Sequence, residues 1–497
     1  MKLRALLAVA AVGLLVSGAA LAQTKDSLSI DIPNEPATLD PQGQYDTDSY
    51  GVYRNIFDNL LARDVSGKII PSVAISWKYQ NDNVIDFTLR SDIKFHDGTP
   101  LTAEDVAFSI NRVIDPAFKS PQYANFNSIT KAEVEGPNIV RVTTGKPYPA
   151  LMAQLVNLSI VPEAYVKKVG NTEFNLKPMG SGPYKFVSWQ KGVSVELAAN
   201  PTYWGTKPPF KTVVFHDVPN TGTRIADLKT GRADFIRQLS PDDTLQLKGD
   251  ANLKILSVPT ERIAYLYFNT LASPSKDVRV RKAMAMGLDR NLIISSLLGG
   301  YAKPVESIGA PSIFGYQPDI KGYSYDPDGA RKLLKEANYN GEPLTFLTSP
   351  AYDQRIVQAI QQMLGDIGLK VNIANSDQRT FLQRRQGNPD EAGSMAYGRW
   401  SCACQDEDGI ILPLFESHSI WSKYNNPAFD KAVIDARSTL DETQRMKDYH
   451  DAAVMIQNDV PGLGLYQDVA IYAARKELQW TPTANEAFFL NQMTWKP

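Results

Sequence analysis

The chain has 497 residues, of which 43% are apolar and 21% charged, and its 54 acidic residues nearly balance 52 Lys and Arg. A formal net charge of −2 gives no reason to expect a nucleic acid or an acidic lipid surface as a partner. The length exceeds what one hydrophobic core supports, so we expect two or more domains.

The N-terminus has the three parts of a secretory signal peptide. Lys2 and Arg4 precede an apolar run over 5–16, and an A-x-A cleavage site follows at 20–22. We therefore expect residues 1–22 to be removed and the mature chain to lie in the periplasm. The alternative is a retained N-terminal membrane anchor, although the apolar run is short for a membrane span.

Hydrophobic periodicity predicts alternating strands and helices along the rest of the chain. A strand over 28–32 comes first, and a capping box formed by Thr102 and Asp105 opens a helix after the next strand, 85–89. The segment 344–373 shows strand, helix and strand in succession. This order predicts a β-α-β unit, and hence a partly parallel sheet, in the second half of the chain.

Two strand-like stretches indicate where the chain changes domain. Residues 265–268 lead into a new helical run that starts near Asp277, and the stretch 463–474 returns the chain to the first domain. We therefore expect a first lobe over 23–265 plus 476–497, and a second lobe over 266–475.

Catalytic motifs are missing from the sequence. Gly180-Ser181-Gly182 lacks the G-x-S-x-G spacing because Met179 occupies its first position, and no phosphate-binding loop of the G-x-x-x-x-G-K-[ST] type is present. No two of the histidines have metal-ligand spacing on a helix; they are His96, His216, His418 and His450. We expect no enzymatic activity, no cofactor and no resident metal.

The chain contains two cysteines, Cys402 and Cys404. An oxidising compartment favours a disulfide between so close a pair, which would stiffen one loop. The alternative is a metal or redox site with Asp406, Asp408 and His418. Because zinc usually takes four well-spaced nitrogen or sulfur ligands, the disulfide is the favoured interpretation.

Several segments in order resemble one known family. The longest covers 69–74 (IIPSVA), Trp77, 87–90 (FTLR) and 93–106 (IKFHDGTPLTAEDV). The other matching segments are 35–41 (EPATLDP), 180–184 (GSGPY), 200–204 (NPTYW), 278–283 (VRVRKA) and 325–334 (YDPDGARKLL). This pattern is similar to family 5 of the bacterial solute-binding proteins, which serves ABC importers of peptides, nickel and opines, and it spans essentially the whole mature chain.

The resemblance implies an α/β fold of two lobes that close like a clamshell, of the class II periplasmic-binding-protein type. It also implies an extra subdomain in the first lobe, at about 60–175. The chain of such a protein crosses between its lobes twice, the ligand lies between the lobes, and closure presents a surface to the membrane permease.

The resemblance also suggests ligand-binding residues. In dipeptide- and oligopeptide-binding members, a tryptophan after a strand is followed by an acidic motif whose first acid pairs with the α-ammonium group of the ligand. Trp400 and Asp406 match these positions, and Asp408 ends the motif. From the residues alone, a solvated loop for the two acids and core packing for Trp400 are the alternatives.

The arginine that binds the ligand carboxylate in dipeptide binders has no clear match. Residues 348–355 occupy that region and Arg355 begins the helix, so Arg399 is the candidate substitute, with an exposed strand position as its alternative. Further candidates are Tyr45 for the wall of the first lobe, Asn269 for a hinge or a β-turn, and Tyr352 for the wall of the second lobe.

The implied function is a periplasmic receptor that captures short peptides and delivers them to ABC permease and ATPase subunits at the inner membrane. We expect it to act as a monomer and without nucleic acid. Because the arginine is missing, the same role for an opine, a glycoside or a chelated metal stays open. A secreted peptidase or chaperone is the alternative from another class.

Overall fold

The structure is a computed structural model that describes residues 25–64, 67–402 and 404–496. The signal peptide predicted over 1–22 lies outside these residues and stays a prediction. In the part of the chain that is described, no helix is both long enough and apolar enough to cross a membrane.

The first lobe contains a sheet and an added subdomain. Its elements in chain order are β1 (Ser27–Ile32), α1 (Thr47–Tyr53), β2 (Leu61–Arg63), β3 (Ile69–Pro71), β4 (Ala74–Asn81), β5 (Val84–Leu89), α2 (Ala103–Ile114), α3 (Tyr123–Phe126), β6 (Ile129–Gly136), β7 (Ile139–Thr144), α4 (Leu151–Leu155), α5 (Glu163–Leu176), β8 (Tyr184–Gln190), β9 (Ser194–Ala199), β10 (Thr212–Asp217), α6 (Thr221–Thr230), β11 (Phe235–Ile236) and α7 (Pro241–Leu247). Parallel pairing joins β1 to both β10 and β11, whereas β8 and β9 extend the sheet in antiparallel fashion.

The added subdomain is a four-stranded antiparallel sheet in the order β4-β5-β7-β6, covered by α2. Buried residues alternate along β5 and β7, because one face of this sheet packs on the helix. The predicted capping box is present at the start of α2, where Asp105 accepts from the Thr102 backbone amide at 2.9 Å. This subdomain has its own hydrophobic core, which places a separate body beside the main sheet.

The second lobe follows the long strand β12 (Leu253–Phe268). Its elements are α8 (Val278–Met286), α9 (Arg290–Leu297), β13 (Ala302–Pro304), α10 (Pro327–Glu336), β14 (Leu344–Thr348), α11 (Gln354–Asp366), β15 (Val371–Asn375), α12 (Gln378–Gln386), β16 (Met395–Trp400), a 3₁₀ helix (Glu407–Gly409), α13 (Ile411–Phe415), α14 (Pro427–Arg437) and α15 (Glu442–Asp459). Strand β14 pairs in parallel with β15 across α11, which is the predicted β-α-β unit.

Two long strands connect the lobes. The chain returns through β17 (Gly462–Arg475) and ends with β18 (Leu478–Gln479), a 3₁₀ helix (Leu490–Gln492) and β19 (Thr494–Trp495). Strands β12 and β17 pair antiparallel along most of their length, with a register shift between Pro259 and Ile263. One sheet therefore runs through both lobes, in the order β15-β14-β16-β12-β17-β11-β1-β10-β9-β8.

The prediction of a two-lobed α/β fold is confirmed. Hydrophobic residues are buried in separate clusters for the first lobe, its subdomain and the two faces of the sheet in the second lobe. The predicted lobe boundaries remain predictions: 265/266 lies inside β12, and 475/476 lies at the end of β17.

Candidate functional site

A cleft of about 650 Å³ lies between the lobes. Its walls come from the loop and helix at 45–50, the subdomain, the crossing strand β12, the segment after β16 and the C-terminal segment. The lining residues are Tyr45, Asp46, Thr47, Tyr50, Ala124, Asn125, Tyr148, Gln154, Glu261, Arg262, Trp400, Ser401, Cys402, Asp408, Gly409, Leu412, Pro413, Arg437, Ala484, Asn485 and Glu486. Both lobes thus contribute side chains to one polar space.

Tyr45 lies in the wall of the first lobe, and a buried arginine holds it there. Its hydroxyl accepts from Arg54 at 3.0 Å and donates to Asn157 at 3.1 Å. The Arg54 guanidinium also stacks over the ring of Tyr50, 4.5 Å from its centroid. The next residue, Asp46, caps α1 by accepting from the backbone amides of Asp48 and Ser49. Both cleft residues therefore have partners within the first lobe.

Trp400 ends β16 and lies in the wall of the second lobe. Its indole N–H donates to the Gly409 carbonyl at 2.8 Å, and its ring packs edge-on against Trp421 with centroids 5.5 Å apart. Trp400 lines the cleft, where the sequence predicted a ligand-facing tryptophan. Its contact with a ligand remains a prediction.

Cys402 and Cys404 form a disulfide in the loop that follows Trp400. Cys402 lines the cleft, whereas Cys404 is buried. Both sulfur atoms pack against Gly409, where an added Cβ would lie 2.1 Å from the Cys402 sulfur. The disulfide therefore fixes the loop between Trp400 and the 3₁₀ helix against the cleft wall.

Three consecutive acids after this disulfide point in different directions. Asp406 is 4% exposed and does not line the cleft; it accepts from Arg445 at 2.7 Å and from the Tyr449 hydroxyl at 2.8 Å. Burial raises the pKa of Asp406, and the charge of Arg445 opposes that shift. Asp406, which the family pattern suggested as the partner of the ligand ammonium group, thus already forms an ion pair within the protein. Its predicted contact with a ligand stays a prediction.

Glu407 is buried on the other side of the loop, between Gly309 and Gly315. Its Oε2 atom has no hydrogen-bond partner among the described residues. Burial, together with the nearby charge of Asp406, raises the pKa of Glu407 to about 8. This acid faces the interior of the second lobe.

Asp408 faces the cleft. It accepts from Arg437 at 2.8 and 3.0 Å and from the Tyr148 hydroxyl of the subdomain at 3.2 Å. The guanidinium of Arg437 lies 5.6 Å from the ring centroid of Tyr148. Because these groups come from both lobes, they connect the two walls of the cleft.

Glu261 lies on β12, between the lobes, and is 7% exposed. Its side chain accepts a hydrogen bond from Gln405, and none of the described Lys or Arg residues forms an ion pair with it. Burial raises the pKa of this carboxyl above its ordinary value. By contrast, the neighbouring Arg262 pairs with Glu486 at 3.1 Å. Glu261 is therefore an acid in the cleft with no ion pair among the described residues, although the charges of Arg63 and Arg54 act on it from farther away and lower its pKa.

The remaining predicted residues lie away from the cleft. Asn269 is fully buried and donates to the carbonyls of Pro389 and Gly393 at 2.7 and 2.9 Å. Arg399 donates to Asp468 at 2.6 Å, and Tyr352 packs edge-on against Phe381. Arg399 and Tyr352 line a smaller cavity in the second lobe, which shares Trp400 with the cleft.

Among the described residues, one group of potential metal ligands comes together, formed by Glu416, His418 and Asp430. None of these three lines the cleft. His96 bonds to the Gly182 carbonyl at 3.1 Å, and burial lowers its pKa to about 4, so its ring is neutral at physiological pH.

Sequence reasoning missed Glu261, Arg437 and Tyr148. Glu261 lies just before the predicted lobe crossing, and a lone acid at such a crossing is the signal that would have pointed to it. Tyr148 and Arg437 lie far from Asp408 in the sequence, and no local pattern marks them.

The fold and the cleft define a class of protein. Two α/β lobes joined by two crossing strands, with a polar cleft between them, are the architecture of a solute-binding protein. The chain belongs to a family with that role, because the family profile described as "Bacterial extracellular solute-binding proteins, family 5 Middle" matches residues 68–420. The predicted family is thereby confirmed.

Relatives agree with this assignment. The chain is 29% identical over 457 residues to the glutathione-binding protein GsiB of Shigella boydii. This alignment covers 89% of each of the two chains. It superposes on the periplasmic binding protein DppA of Helicobacter pylori, solved with the peptide STSA, with a TM-score of 0.78, 25% identity and 95% and 99% of the two chains covered. NikZ of Campylobacter jejuni, solved with Ni(L-His), gives a TM-score of 0.79 at 25% identity, with 95% and 99% covered.

Proposed function

We propose that this chain is the periplasmic receptor of an ABC importer and that it captures short peptides between its lobes. The observation that supports this most directly is Glu261, a buried carboxyl in the cleft that forms no ion pair with any described residue. A free α-ammonium group is the cation that every unmodified peptide carries. An ion pair with hydrogen bonds would offset the cost of burying both charges.

The cleft contains more acid than base. Four acids line it, and two of them are paired with the two arginines, Arg262 and Arg437. Asp46 caps a helix, which leaves Glu261 for the ligand. We therefore assign to Glu261 the ammonium-binding role that the family pattern suggested for Asp406, because the carboxylate of Asp406 already binds Arg445.

Relatives support a peptide as ligand. GsiB is named for glutathione, itself a tripeptide, and DppA was solved with a tetrapeptide. A cleft of about 650 Å³ is large enough for a ligand of this size, with the Trp400 ring as an apolar wall. Nickel bound to histidine in NikZ makes a chelated metal the second candidate.

We further propose that the signal peptide is cleaved after export and that the receptor delivers its ligand to the permease and ATPase subunits without chemical change. Ligand contact with both lobes would favour the closed form, which is the form the permease recognises. Incubation with labelled peptides followed by mass spectrometry is expected to show intact peptide, and turnover would favour a peptidase.

A thermal-shift screen tests the proposed function. Di- to tetrapeptides, glutathione, opines, glycosides and nickel–histidine are added at about a hundred times their expected Kd, where binding adds about 2.7 kcal/mol of stability. We expect peptides to raise the melting temperature. A rise with nickel–histidine or a glycoside, and none with any peptide, would contradict the proposal.

A further inference from the structure

A second cavity of about 190 Å³ opens in the second lobe beside the cleft, and we call it the side pocket. It lies beside β12 and β16, and α12 contributes part of its lining. The lining residues are Tyr265, Tyr267, Tyr352, Phe381, Leu382, Arg385, Ala396, Tyr397, Gly398, Arg399, Trp400 and Trp421. Because Trp400 also lines the cleft, the two cavities share a wall.

The walls of the side pocket are mostly aromatic, and the strand that forms its floor has small side chains. Ala396 and Gly398 alternate on β16 on the same face as Trp400. An added Cβ at Gly398 would lie 2.8 Å from the ring of Tyr265, so glycine is needed for this close approach. The result is a narrow space between flat rings, suited to a slender or planar group.

Two arginines line the side pocket: Arg399 is paired with Asp468, whereas Arg385, which is 3% exposed, has a different set of partners. Its guanidinium lies over the ring of Tyr267, 3.4 Å from the centroid, and donates to the Trp421 carbonyl at 2.6 Å. In the described part of the chain, no carboxylate forms an ion pair with it. A guanidinium has five N–H donors, and none of those of Arg385 has an anionic acceptor among the described residues.

Another buried arginine shows how this chain satisfies such a group without an anion. Arg281 donates to four backbone carbonyls, two at the end of α15 and two just before α8, at 2.7 to 3.1 Å. Arg385 donates one bond to a carbonyl and a second to the Tyr265 hydroxyl. The difference leaves donors of Arg385 available to a ligand.

Two neighbouring groups, a buried cation and a buried hydroxyl, also favour a bound anion. Lys423 is 5% exposed and donates to the carbonyls of Ile420 and Ser422. Burial, and then the charge of Arg385, lower the pKa of Lys423 to about 8. The hydroxyl of Tyr267, a residue that is 2% exposed, has no hydrogen-bond partner among the described residues. The pocket therefore combines uncompensated positive charge with an unused polar group.

We propose that the side pocket binds a carboxylate group of the solute, held by Arg385 and the Tyr267 hydroxyl between the aromatic walls. This rests on the proposed function and deepens it, because it names the ligand as one with an ammonium group in the cleft and a carboxylate on an arm that passes Trp400. A peptide with a free C-terminus, or with an acidic side chain, has this chemistry. The bound anion would neutralise charge that the protein alone leaves unpaired.

The test uses a short peptide that binds in the screen and compares it with the same peptide amidated at the C-terminus. If the peptide has an acidic side chain, a form with that side chain amidated is compared as well. Calorimetry is run on the wild type, on Arg385→Gln and on Arg384→Gln. The last variant is the matched control, since Arg384 is the preceding residue on α12, has the same charge and does not line the pocket. We expect the wild type and Arg384→Gln to bind the free acid about 10-fold or more tighter than one of the amides. Arg385→Gln is expected to bind acid and amide alike.

A second variant covers the case in which Arg385→Gln fails to fold. Tyr267→Phe keeps the arginine and removes only the unpartnered hydroxyl, so circular dichroism should show an unchanged fold. We expect its affinity for the free acid to fall about 3-fold, and its affinity for the amide to stay the same. Equal affinities for acid and amides in the wild type would contradict the proposal that the side pocket binds a carboxylate. A preference for the acid that persists in Arg385→Gln would contradict it as well.

A small carboxylate separates this inference from the peptide function. 3-Phenylpropionate carries a carboxylate on an arm with a planar ring, and a rise in melting temperature for the wild type but not for Arg385→Gln would support the pocket even if no peptide binds. Peptide binding without preference for the acid would leave the proposed function intact and defeat the pocket. Failure of every peptide and of the small carboxylate would defeat both.

Discussion

The cleft and the side pocket share Trp400 as a wall but differ in the sign of the charge that lacks a partner. Among the described residues, the cleft carboxyl without an ion pair is that of Glu261, and the side-pocket guanidinium without one is that of Arg385. Two other buried arginines of this chain are paired internally, Arg112 with Asp40 at 2.5 Å and Arg445 with Asp406 at 2.7 Å.

This difference suggests how a receptor of this kind selects its solute. An uncompensated charge in a buried site costs free energy in the empty protein, and a ligand charge of the opposite sign recovers it. Two such sites of opposite sign would select a solute with both charges and would fix its direction. A ligand with only one of the two charges would leave the other site unpaired, which penalises the wrong solute.

Glu261→Gln removes the negative charge that the cleft offers to a ligand, and it has the largest expected effect. Neutralising one partner of a desolvated charge pair costs about 2–3 kcal/mol, so affinity for a peptide with a free amino group should fall about 30- to 150-fold. Calorimetry measures the loss. The N-acetylated form of the same peptide should bind the variant and the wild type alike.

Glu486→Gln is the matched control, because Glu486 lines the same cleft but is already paired with Arg262. We expect it to lower peptide affinity less than about 5-fold, since exposed or partly exposed pairs contribute under about 1 kcal/mol. Equal losses in the two variants would mean that the absence of a cation beside Glu261 has no special role.

Glu407→Gln tests an unpaired acid that lines neither the cleft nor the side pocket. Its pKa is about 8 in the folded protein against 4.5 ordinarily, so the folded state holds the proton more tightly than the unfolded state does. The resulting stabilisation is complete below pH 4.5 and is lost as pH rises through 8.

The variant should therefore have a higher free energy of unfolding than the wild type at pH 6, by about 2 kcal/mol, with little difference at pH 4.5. Urea unfolding at the two pH values measures this. Peptide affinity at pH 6 should not change. A variant whose stability follows that of the wild type at both pH values would contradict the assignment of Glu407 as an interior acid.

Reducing the Cys402–Cys404 disulfide tests how the loop between Trp400 and Asp408 is held. A closed ring this small contributes about 1–2 kcal/mol, and we expect the melting temperature and the peptide affinity to fall together. A phosphine reductant should have no effect on the Cys402→Ser, Cys404→Ser double variant. Two free thiols in the mass spectrum of the unreduced protein would rule out the disulfide.

Asp242→Asn has the smallest expected effect. Asp242 of α7 pairs with Arg355 of α11 at 3.0 Å across the lobes, and both side chains are about half exposed or more. Removing it should weaken peptide binding by less than about 1 kcal/mol, and less still at high salt. Asp328→Asn is the control, since Asp328 and Arg331 pair within one helix. A loss above tenfold would mean that this pair determines closure.

Local patterns predicted much of the fold. The strand 28–32 and the β-α-β unit over 344–373 depend on periodicity within short windows, and the structure has them as β1 and β14-α11-β15. The crossing of the lobes was indicated by two strand-like stretches, which are parts of β12 and β17. The physical cause is that a strand or helix is specified by neighbours in sequence.

The site was harder to predict because charge pairing joins distant residues. Asp406 pairs with Arg445, which lies 39 residues later in the chain. Asp408 accepts a hydrogen bond from Tyr148, which lies 260 residues earlier. The residue type marks both acids as candidates, but only the packed structure shows which one already has a cation. Glu261 and Arg385 were hard to identify for a related reason: neither has an ion pair among the described residues, and no sequence window shows that.

A structure of the complex is the most direct test of the central claim. The protein would be crystallised with the tightest-binding peptide from the screen. We expect the peptide ammonium about 3 Å from the Glu261 carboxyl, and a carboxylate at a similar distance from the Arg385 guanidinium, past the Trp400 ring. A ligand bound with its ammonium far from Glu261 and with the side pocket unentered would contradict the account.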